Sequence, residues 1–281
     1  MSRKIFYLGP MASYCDCARM LFVEKMDLGD FEAIPVRSIS AVINELAKEE
    51  NFDSFAVLPI ENSVEGVVRE TLDNLCMLKN TSINIIAETS IPVQHCLATF
   101  SESLGAITTV VSHPQAIAQC YGFINENLTN DVRLNHESST ASAIKSLLNK
   151  PSDCAAIGSE YAAKLYNVPI LEYSINDMES NKTRFVLLGE KQTRISGNDK
   201  TGFSFSTPNS PGALCKILNI LDAHNINMTY IDSRPSKKSL GEYVFYVDID
   251  GHALSENISK AIFEILQNVS DFQYFGSYTR I

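Results

Sequence analysis

The chain has 281 residues, of which 45% are hydrophobic and 20% are charged, as is typical of a folded globular protein. This length suits two domains, or one large domain with a small one, and it excludes a single small core. The formal net charge of −10 and the lack of a basic stripe argue against a nucleic-acid binder, whereas a small anionic ligand needs only a few well-placed donors.

The first 190 residues alternate between strand-like and helix-like segments. The opening apolar run, residues 5–8, stops at Gly9-Pro10 and therefore predicts a strand and not the core of a signal peptide. Further strands are predicted at residues 31–36, 54–60, 110–111, 132–134, 155–157, 168–171 and 185–188, and helices at 38–48, 70–78, 114–123, 139–148 and between 157 and 168. Repeated βα units predict an α/β fold with mostly parallel sheets.

The apolar run at residues 83–100 is rich in strand-forming residues and is broken by Pro92, so we expect it to cross between two lobes. Residues 191–200 are polar and predict a linker. The order beyond the linker is strand, helix, strand, strand, helix, strand, which predicts a ferredoxin-like βαββαβ domain.

The cysteines and the hydropathy pattern indicate a cytoplasmic protein. Seven cysteines are scattered along the chain, and the Cys15/Cys17 pair has no second pair or histidine at zinc spacing. No stretch approaches the length of a membrane span. We therefore expect reduced thiols, no metal and no membrane association.

Four segments of the α/β part are dense in polar side chains, and each follows a predicted strand or begins a helix or strand. They are residues 61–66, 112–115, 137–140 and 181–185. Together they offer hydroxyls, amides and one arginine, which suits a small anion with several oxygens near helix N-termini. A purely structural interpretation is open as well, because Ser139 and Thr140 would also cap a helix and His113 would be a polar surface residue.

Arg184 lies beside a core strand and needs a partner, either in an ordinary ion pair or as a ligand carboxylate held bidentately. The sequence contains no G-x-S-x-G elbow, P-loop or G-x-G-x-x-G motif. From the residues alone, the prediction is a two-domain α/β protein that binds a small organic anion.

The same segments, in this order, resemble the prephenate dehydratase family. The resemblance rests on Leu8-Gly9-Pro10 with Ser13-Tyr14, residues 57–66 with Thr71-Leu72-Asp73, residues 112–116, residues 137–141 and Thr183-Arg184-Phe185. The C-terminal part resembles an ACT domain, with Gly212-Ala213-Leu214, Leu218 and Ser233-Arg234-Pro235 at the family's phenylalanine-binding motifs. Two positions depart from the family pattern: Met11-Ala12 replaces an acidic residue and a glycine, and Asp232 replaces a glutamate.

The resemblance implies a two-lobed, periplasmic-binding-protein-like catalytic domain in residues 1–190, with one lobe formed by 1–94 and 178–190 and the other by 95–177. Residues 201–281 would form the ACT domain. The implied reaction converts prephenate into phenylpyruvate in L-phenylalanine biosynthesis, releasing water and carbon dioxide without a cofactor. L-phenylalanine would inhibit it by binding at the interface of a homodimer or homotetramer.

The resemblance also assigns roles to individual residues. Thr183 would donate a hydrogen bond to the departing hydroxyl, Arg184 would hold a carboxylate, and Glu61 or His113 would supply the proton. The remaining substrate contacts would come from Ser13, Asn62, Ser63, Ser112, Ser139, Thr140 and Phe185, the last of which is equally suited to a core role. The phenylalanine site would comprise Gly212, Ala213, Leu214, Leu218, Asp232, Ser233, Arg234 and Pro235.

Two other functions fit the same residues. An arogenate dehydratase performs the same chemistry on a substrate with an amino group in place of the side-chain keto group. A non-catalytic sensor would keep Arg184 for a ligand but would have less need of Thr183.

Overall fold

The computed structural model describes residues 3–49, 53–78, 81–236 and 242–281. The first part of the chain contains β1 (Lys4–Leu8), α1 (Tyr14–Lys25), β2 (Glu32–Val36), α2 (Ile39–Lys48), β3 (Phe55–Asn62), β4 (Gly66–Val67), α3 (Arg69–Met77), β5 (Asn84–Pro92), β6 (Cys96–Thr99), β7 (Thr109–Ser112), α4 (Pro114–Ala118), α5 (Tyr121–Asn127), β8 (Arg133–His136), α6 (Thr140–Ser146), β9 (Cys154–Gly158), α7 (Glu160–Leu165), β10 (Ile170–Glu172) and β11 (Lys182–Gly189). The second part contains β12 (Asp199–Ser206), α8 (Ala213–Ala223), β13 (Met228–Pro235), β14 (Tyr243–Asp250), α9 (Glu256–Leu266) and β15 (Asp271–Arg280). None of the helices in these ranges has the length and apolar character needed to cross a membrane.

Two sheets form the α/β part. The first contains the strand order β5-β11-β3-β1-β2, and the second has the order β10-β6-β9-β7-β8. Both are mixed, because β11 is antiparallel to β3 and β5, and β6 is antiparallel to β9 and β10. The prediction of mostly parallel sheets was therefore wrong. Neighbouring strands become parallel when a right-handed helical connection joins them. β6 and β11 have no such connection, because the chain enters each of them directly after crossing from the other lobe.

The chain crosses between the two sheets twice. β5 ends at Pro92 in the first sheet and β6 begins at Cys96 in the second, and the return lies between β10 and β11. The break at Pro92 is thus a crossing, as expected from the sequence. These two crossing segments lie side by side, since the backbone N–H of Val93 donates to the carbonyl of Asn181 over 2.8 Å.

The C-terminal part has the predicted βαββαβ order. Its four strands form an antiparallel sheet in the order β13-β14-β12-β15, and α8 and α9 cover one face of it. The core between them contains Phe203, Phe205, Ile217, Val247 and Ile265. β12 begins at Asp199, inside the segment predicted to be a linker, because Asp199 and Lys200 already pair with β15.

The C-terminal sheet continues into the first sheet of the α/β part. β15 pairs in parallel with β5, with Thr279 opposite Ala87 and Arg280 opposite Glu88. Gly276 makes this approach possible, since its φ is +134° and a Cβ there would collide with the carbonyl oxygen of Ile85. The C-terminal part therefore reaches the strand that neighbours β11.

Two helical features differ from the sequence prediction. Helix α1 was not predicted, although Ser13 caps it by accepting from the N–H of Asp16, and Phe22 on its inner face is buried. The helix predicted at residues 114–123 is instead two helices that break at Gln119 and Cys120. Neither proline nor glycine marks this break, and it leaves Gln119 at the edge of the cleft described next.

Candidate active site between the lobes

A cavity of about 200 Å³ lies between the two lobes. It is lined by Tyr14, Asn62, Val93, His95, His113, Gln115, Ala116, Gln119, Thr140 and Thr183. Each of the four polar segments predicted from the sequence contributes at least one of these side chains. The lining combines hydroxyls, carboxamides and imidazoles and includes no carboxylate, so the cavity suits an anion that accepts several hydrogen bonds.

Asn62 and Thr183 form a hydrogen bond whose direction is fixed by the backbone. The Oδ1 of Asn62 accepts from the backbone N–H groups of Val64 and Glu65, both at 2.9 Å. Its Nδ2 must therefore face the other way, where it donates to Thr183 Oγ1 over 2.9 Å and to Asn181 Oδ1 over 2.8 Å. Because Thr183 Oγ1 accepts this bond, its own proton is free for another acceptor in the cavity.

Four polar residues that line the cavity were not chosen as site residues from the sequence: Tyr14, His95, Gln115 and Gln119. His95 and Asn181 are buried, and both lie 3.2 Å from the Oε1 of Gln119. Burial lowers the pKa of His95 to about 4, against the opposing effect of its hydrogen bond to Gln119, so its imidazole is neutral at neutral pH. The available signals were a lone polar residue, Gln119, in the otherwise apolar residues 116–120, and the polar pair Gln94-His95 between the apolar residues Val93 and Leu97.

Three predicted substrate ligands lie at helix N-termini, and two of them line the cavity. His113 precedes α4, and its Nδ1 accepts from the backbone N–H of Gln115 at 3.3 Å while the side chain lines the cavity. Thr140 is the first residue of α6 and also lines the cavity. Ser139 instead accepts from the N–H of Ser142 over 3.0 Å, which is the capping role considered from the sequence.

Four other predicted substrate ligands have partners away from the cavity. Ser112 is fully buried and donates to the carbonyl of Ile157 over 2.6 Å, and Phe185 is packed in the core. Ser13 caps α1, and Ser63 accepts from the N–H of Lys182 over 2.9 Å. Direct contact of Ser13, Ser63, Ser112, Ser139 or Phe185 with substrate stays a prediction, and the observed partners favour roles in shaping the cleft.

Arg184 lies on the face of β11 opposite to Thr183, because neighbouring side chains on a strand point in opposite directions. Its Nη1 is 2.7 Å from Asp248 Oδ2 and 3.0 Å from Glu88 Oε2, and its Nε is 3.2 Å from Glu61 Oε2. Burial alone would lower the pKa of Arg184, but the charges of Asp248 and Glu88 raise it above its ordinary value. The guanidinium thus satisfies the need for a partner with three carboxylates of this chain, and neither Arg184 nor Glu61 lines the cavity.

The predicted phenylalanine-binding residues line two neighbouring cavities of the C-terminal domain. Gly212, Ala213 and Leu214 border one of about 210 Å³, where Gly212 has a φ of +79°. Arg234 and Pro235 border another of about 520 Å³, which α3 of the α/β part also lines. Both cavities share residues 207–209.

The remaining predicted effector residues stand around these cavities without lining them. The Oδ1 of Asp232 accepts from Arg234 Nη1 over 2.8 Å, and its Oδ2 accepts from the hydroxyl of Tyr230 over 3.2 Å. Ser233 is exposed on β13, and Leu218 is half-buried on α8. In the part of the chain that the structure describes, no three His, Cys, Asp or Glu side chains are grouped to hold a metal ion.

The fold and the cavity together define an α/β enzyme with a cleft for a small polar ligand, joined to a βαββαβ domain of the type that senses small molecules. The family model for prephenate dehydratase matches residues 5–193, and that for the ACT domain matches residues 203–267. The chain therefore belongs to the prephenate dehydratase family.

Individual relatives agree with this assignment. The prephenate dehydratase of Methanocaldococcus jannaschii is 35% identical over 282 residues, covering 99% of this chain and 98% of that protein. The bifunctional chorismate mutase/prephenate dehydratase of Aquifex aeolicus is 36% identical over 279 residues, covering 99% of this chain and 74% of that protein. The crystal structure of a prephenate dehydratase from Arthrobacter aurescens in complex with L-Phe has a TM-score of 0.86 at 29% identity, covering 99% of this chain and 90% of that one.

Membership in this family gives the chain its reaction, the decarboxylating dehydration of prephenate to phenylpyruvate by a carbon–oxygen lyase. The match of its C-terminal part to the ACT domain indicates feedback regulation of that reaction.

Proposed function

We propose that prephenate is converted in the cleft cavity and that Thr183 donates a hydrogen bond to the ring hydroxyl as it departs. The observation that carries this placement is the hydrogen bond from Asn62 Nδ2 to Thr183 Oγ1, which leaves the threonine proton available to the cavity. A threonine hydroxyl is too weak an acid to protonate the leaving group by itself, so Thr183 acts as a positioned donor.

The chemistry requires orientation more than strong acids or bases. The bond between the ring and its carboxylate breaks to release carbon dioxide, and that electron pair enters the ring as the bond to the hydroxyl breaks. The departing oxygen takes up a proton and leaves as water, while the ring becomes aromatic. A rigid set of hydrogen-bond donors that matches the developing charge is the expected source of catalysis.

His113 is the better candidate for the proton donor, ahead of Glu61. Its Nδ1 accepts from the N–H of Gln115, so the neutral imidazole carries its proton on Nε2 and can donate it as a hydrogen bond; full transfer of a proton to the leaving oxygen requires the imidazolium form, in which Nδ1 no longer accepts. Its side chain also lines the cavity. Glu61 is 3.2 Å from the Nε of Arg184 and outside the cavity lining, which favours a structural role for it.

Neutral donors would bind the two substrate carboxylates. Thr140, Gln115 and Gln119 line the cavity from the second lobe and supply these donors. These side chains replace Arg184 in the substrate site, because the guanidinium is held on the opposite face of β11. Hydrogen bonds to an anion are stronger than bonds between neutral groups, so several neutral donors suffice.

L-phenylalanine would bind to the C-terminal domain at an interface between two copies of the chain, in a homodimer or homotetramer. The Gly212 and Arg234 motifs line different cavities of one chain, so a single ligand would contact both motifs when two chains meet. Inhibition then corresponds to a coupling free energy between the effector site and the cleft. A cytoplasmic location remains an expectation from the sequence.

The experiment is to measure phenylpyruvate formation from prephenate by the purified protein, with a chelator present and with or without L-phenylalanine. Thr183→Ala should lower kcat/KM by about 100-fold, while Thr183→Ser, which keeps the hydroxyl, should retain most of it. Thr108→Ala is a matched control, because Thr108 is an exposed threonine of the second lobe that donates to Asp153. A loss of less than about tenfold in folded Thr183→Ala would contradict the proposed role.

Two further assays separate the other functions. Arogenate offered to the same protein should be converted less efficiently than prephenate. A higher kcat/KM for arogenate would identify the protein as an arogenate dehydratase. Absence of turnover with both substrates by folded protein would leave the non-catalytic sensor. Gly212→Trp should abolish inhibition by L-phenylalanine while turnover continues, and unchanged inhibition would show that the effector site lies elsewhere.

A further inference from the structure

His95 lies in the first crossing segment between the lobes and is the only histidine among the described residues that both lines the cleft cavity and is fully buried. Its backbone N–H donates to Asn176 Oδ1 over 2.6 Å, which fixes it to the second crossing segment. Its ring packs edge-on against Tyr14, with 6.0 Å between the centroids. The hydroxyl of Tyr14 lies 2.7 Å from the carbonyl of Gln94 and 3.3 Å from His95 Nδ1, so its one proton faces two acceptors when Nδ1 carries none.

The direction of every hydrogen bond between Thr183 and His95 follows from one fixed point. The backbone N–H groups of Val64 and Glu65 require Asn62 Oδ1 to accept, so Asn62 Nδ2 donates to Asn181 Oδ1. Asn181 must then present its Nδ2 to Gln119, whose Oε1 accepts over 3.2 Å.

The same rule extends to the imidazole. Gln119 Oε1 lies 3.2 Å from His95 Nε2, and an acceptor oxygen requires a proton on that nitrogen. With both His95 and Asn181 donating to its oxygen, Gln119 has its NH₂ group left over. Gln119 lines the cavity, so this NH₂ group is its free donor toward a bound anion.

We propose that His95 is a positioning residue: as the neutral Nε2–H tautomer it fixes the Gln119 carboxamide with its NH₂ group directed at the substrate. This inference rests on the proposed function, because it requires the reaction to take place in the cleft cavity. Without the donor at His95, the Gln119 carboxamide could rotate and present its oxygen to an anionic substrate, which would repel it. The hydrogen bond from Asn181 alone would restrict that rotation less than the bonds from Asn181 and His95 together.

Three substitutions at position 95 separate hydrogen bonding from packing. His95→Gln places a carboxamide nitrogen near the position of Nε2, His95→Asn places one near Nδ1, and His95→Phe keeps an aromatic ring without a donor. His95→Phe and His95→Asn should each lower kcat/KM for prephenate by about 30-fold, whereas His95→Gln should stay within about fivefold of the wild type. A residue that only fills space would show the opposite order, with His95→Phe the most active variant, and that result would overturn the proposal.

The tautomer is measurable in the unmodified protein and does not depend on any variant folding. A two-bond ¹⁵N–¹H spectrum of the full chain, with histidine labelled on its ring nitrogens and His95 assigned by comparison with His95→Gln, should show a neutral ring protonated at Nε2. Protonation at Nδ1, or rapid exchange between the tautomers, would overturn the proposal. If His95→Gln does not fold, the His95 signals can be assigned through a nuclear Overhauser contact to Tyr14, and the same spectrum then identifies the tautomer.

The Thr183→Ala variant distinguishes failure of this inference from failure of the proposed function. If Thr183→Ala keeps full activity, the cleft is not the site of the reaction. If Thr183→Ala is inactive while His95→Phe is fully active, the cleft is correct and only the role of His95 is wrong.

Discussion

The Nη1 of Arg184, next to the proposed catalytic threonine, lies 2.7 Å from the Oδ2 of Asp248 in the C-terminal domain, and both side chains are buried. The other oxygen of Asp248 accepts from the hydroxyl of Tyr278 over 2.9 Å. Glu88 adds a second carboxylate, which in turn is 2.8 Å from Lys200 Nζ. The junction between the domains therefore contains a buried group of alternating positive and negative side chains. Removing any one of them would leave a buried charge without its partner.

Asp248→Ala should destabilise the protein by about 3–5 kcal/mol, because it leaves Arg184 and the Tyr278 hydroxyl without their buried partner. Urea denaturation of the variant and the wild type measures this difference. Glu256→Ala is the control, since it removes an exposed carboxylate on α9 that pairs with Lys260 and should leave stability unchanged. Equal stability of the Asp248→Ala variant and the wild type would show that the ion pair is not formed in solution.

Asn62→Asp should lower kcat/KM by about 100-fold, although the two side chains have the same shape. An aspartate has no N–H to donate, so the Thr183 hydroxyl would turn toward the carboxylate and be lost to the substrate. Steady-state assays with prephenate test this, with Asn74→Asp on α3 as the control for the same chemical change outside the cavity. Retention of more than about a tenth of the activity would contradict the inferred direction of the Asn62–Thr183 bond.

Stability should fall as the pH is lowered from about 6.5 towards 4, because of His95. Its pKa is about 4 in the folded protein against an ordinary value of 6.5, so in this interval the unfolded chain binds a proton that the folded protein does not. The wild type should lose about 2 kcal/mol more between pH 7 and pH 5 than His95→Gln does. Parallel urea titrations at the two pH values test this, and identical losses would mean that His95 titrates normally.

Gly276→Ala should destabilise the protein by more than about 2 kcal/mol, since the new Cβ would collide with the Ile85 carbonyl and force β15 away from β5. Gly197→Ala is a matched control: Gly197 also has a positive φ, +89°, but has open space around it. That substitution should cost only about 1 kcal/mol, the strain of the backbone alone. Equal losses in the two variants, measured by chemical denaturation, would argue against the close approach of the two strands.

Local patterns in the sequence were sufficient for much of the fold. Ile39, Val42, Ile43 and Leu46 recur at helical spacing, and α2 buries all four. The crossing at Pro92 and the βαββαβ order could also be predicted, because each depends on residues that are close together in the chain. The antiparallel direction of β11 could not be predicted, since it depends on how the chain returns from the second lobe to the first.

The site was predictable as a set of segments but less so as a set of side chains. The sequence identified Asn62, His113, Thr140 and Thr183, all of which line the cavity. It correctly required a partner for Arg184 but could not reveal that Asp248, on a different domain, would supply it. His95 and Gln119 were missed because one or two polar residues within an apolar segment indicate a site only through partners distant in the chain, here Asn181 for Gln119.

The continuous sheet also constrains the order in which the molecule can be assembled. Thr89 Oγ1 donates to the carbonyl of Ile281 across 192 residues of sequence, and the N–H of Ile281 donates to Glu88 O over 3.0 Å. A growing chain on the ribosome cannot pair β5 with β15 until residues 271–280 have emerged, so this edge of β5 stays open until then. Contacts of such high sequence separation form slowly, so this edge of β5 is open to pairing with another chain until β15 docks.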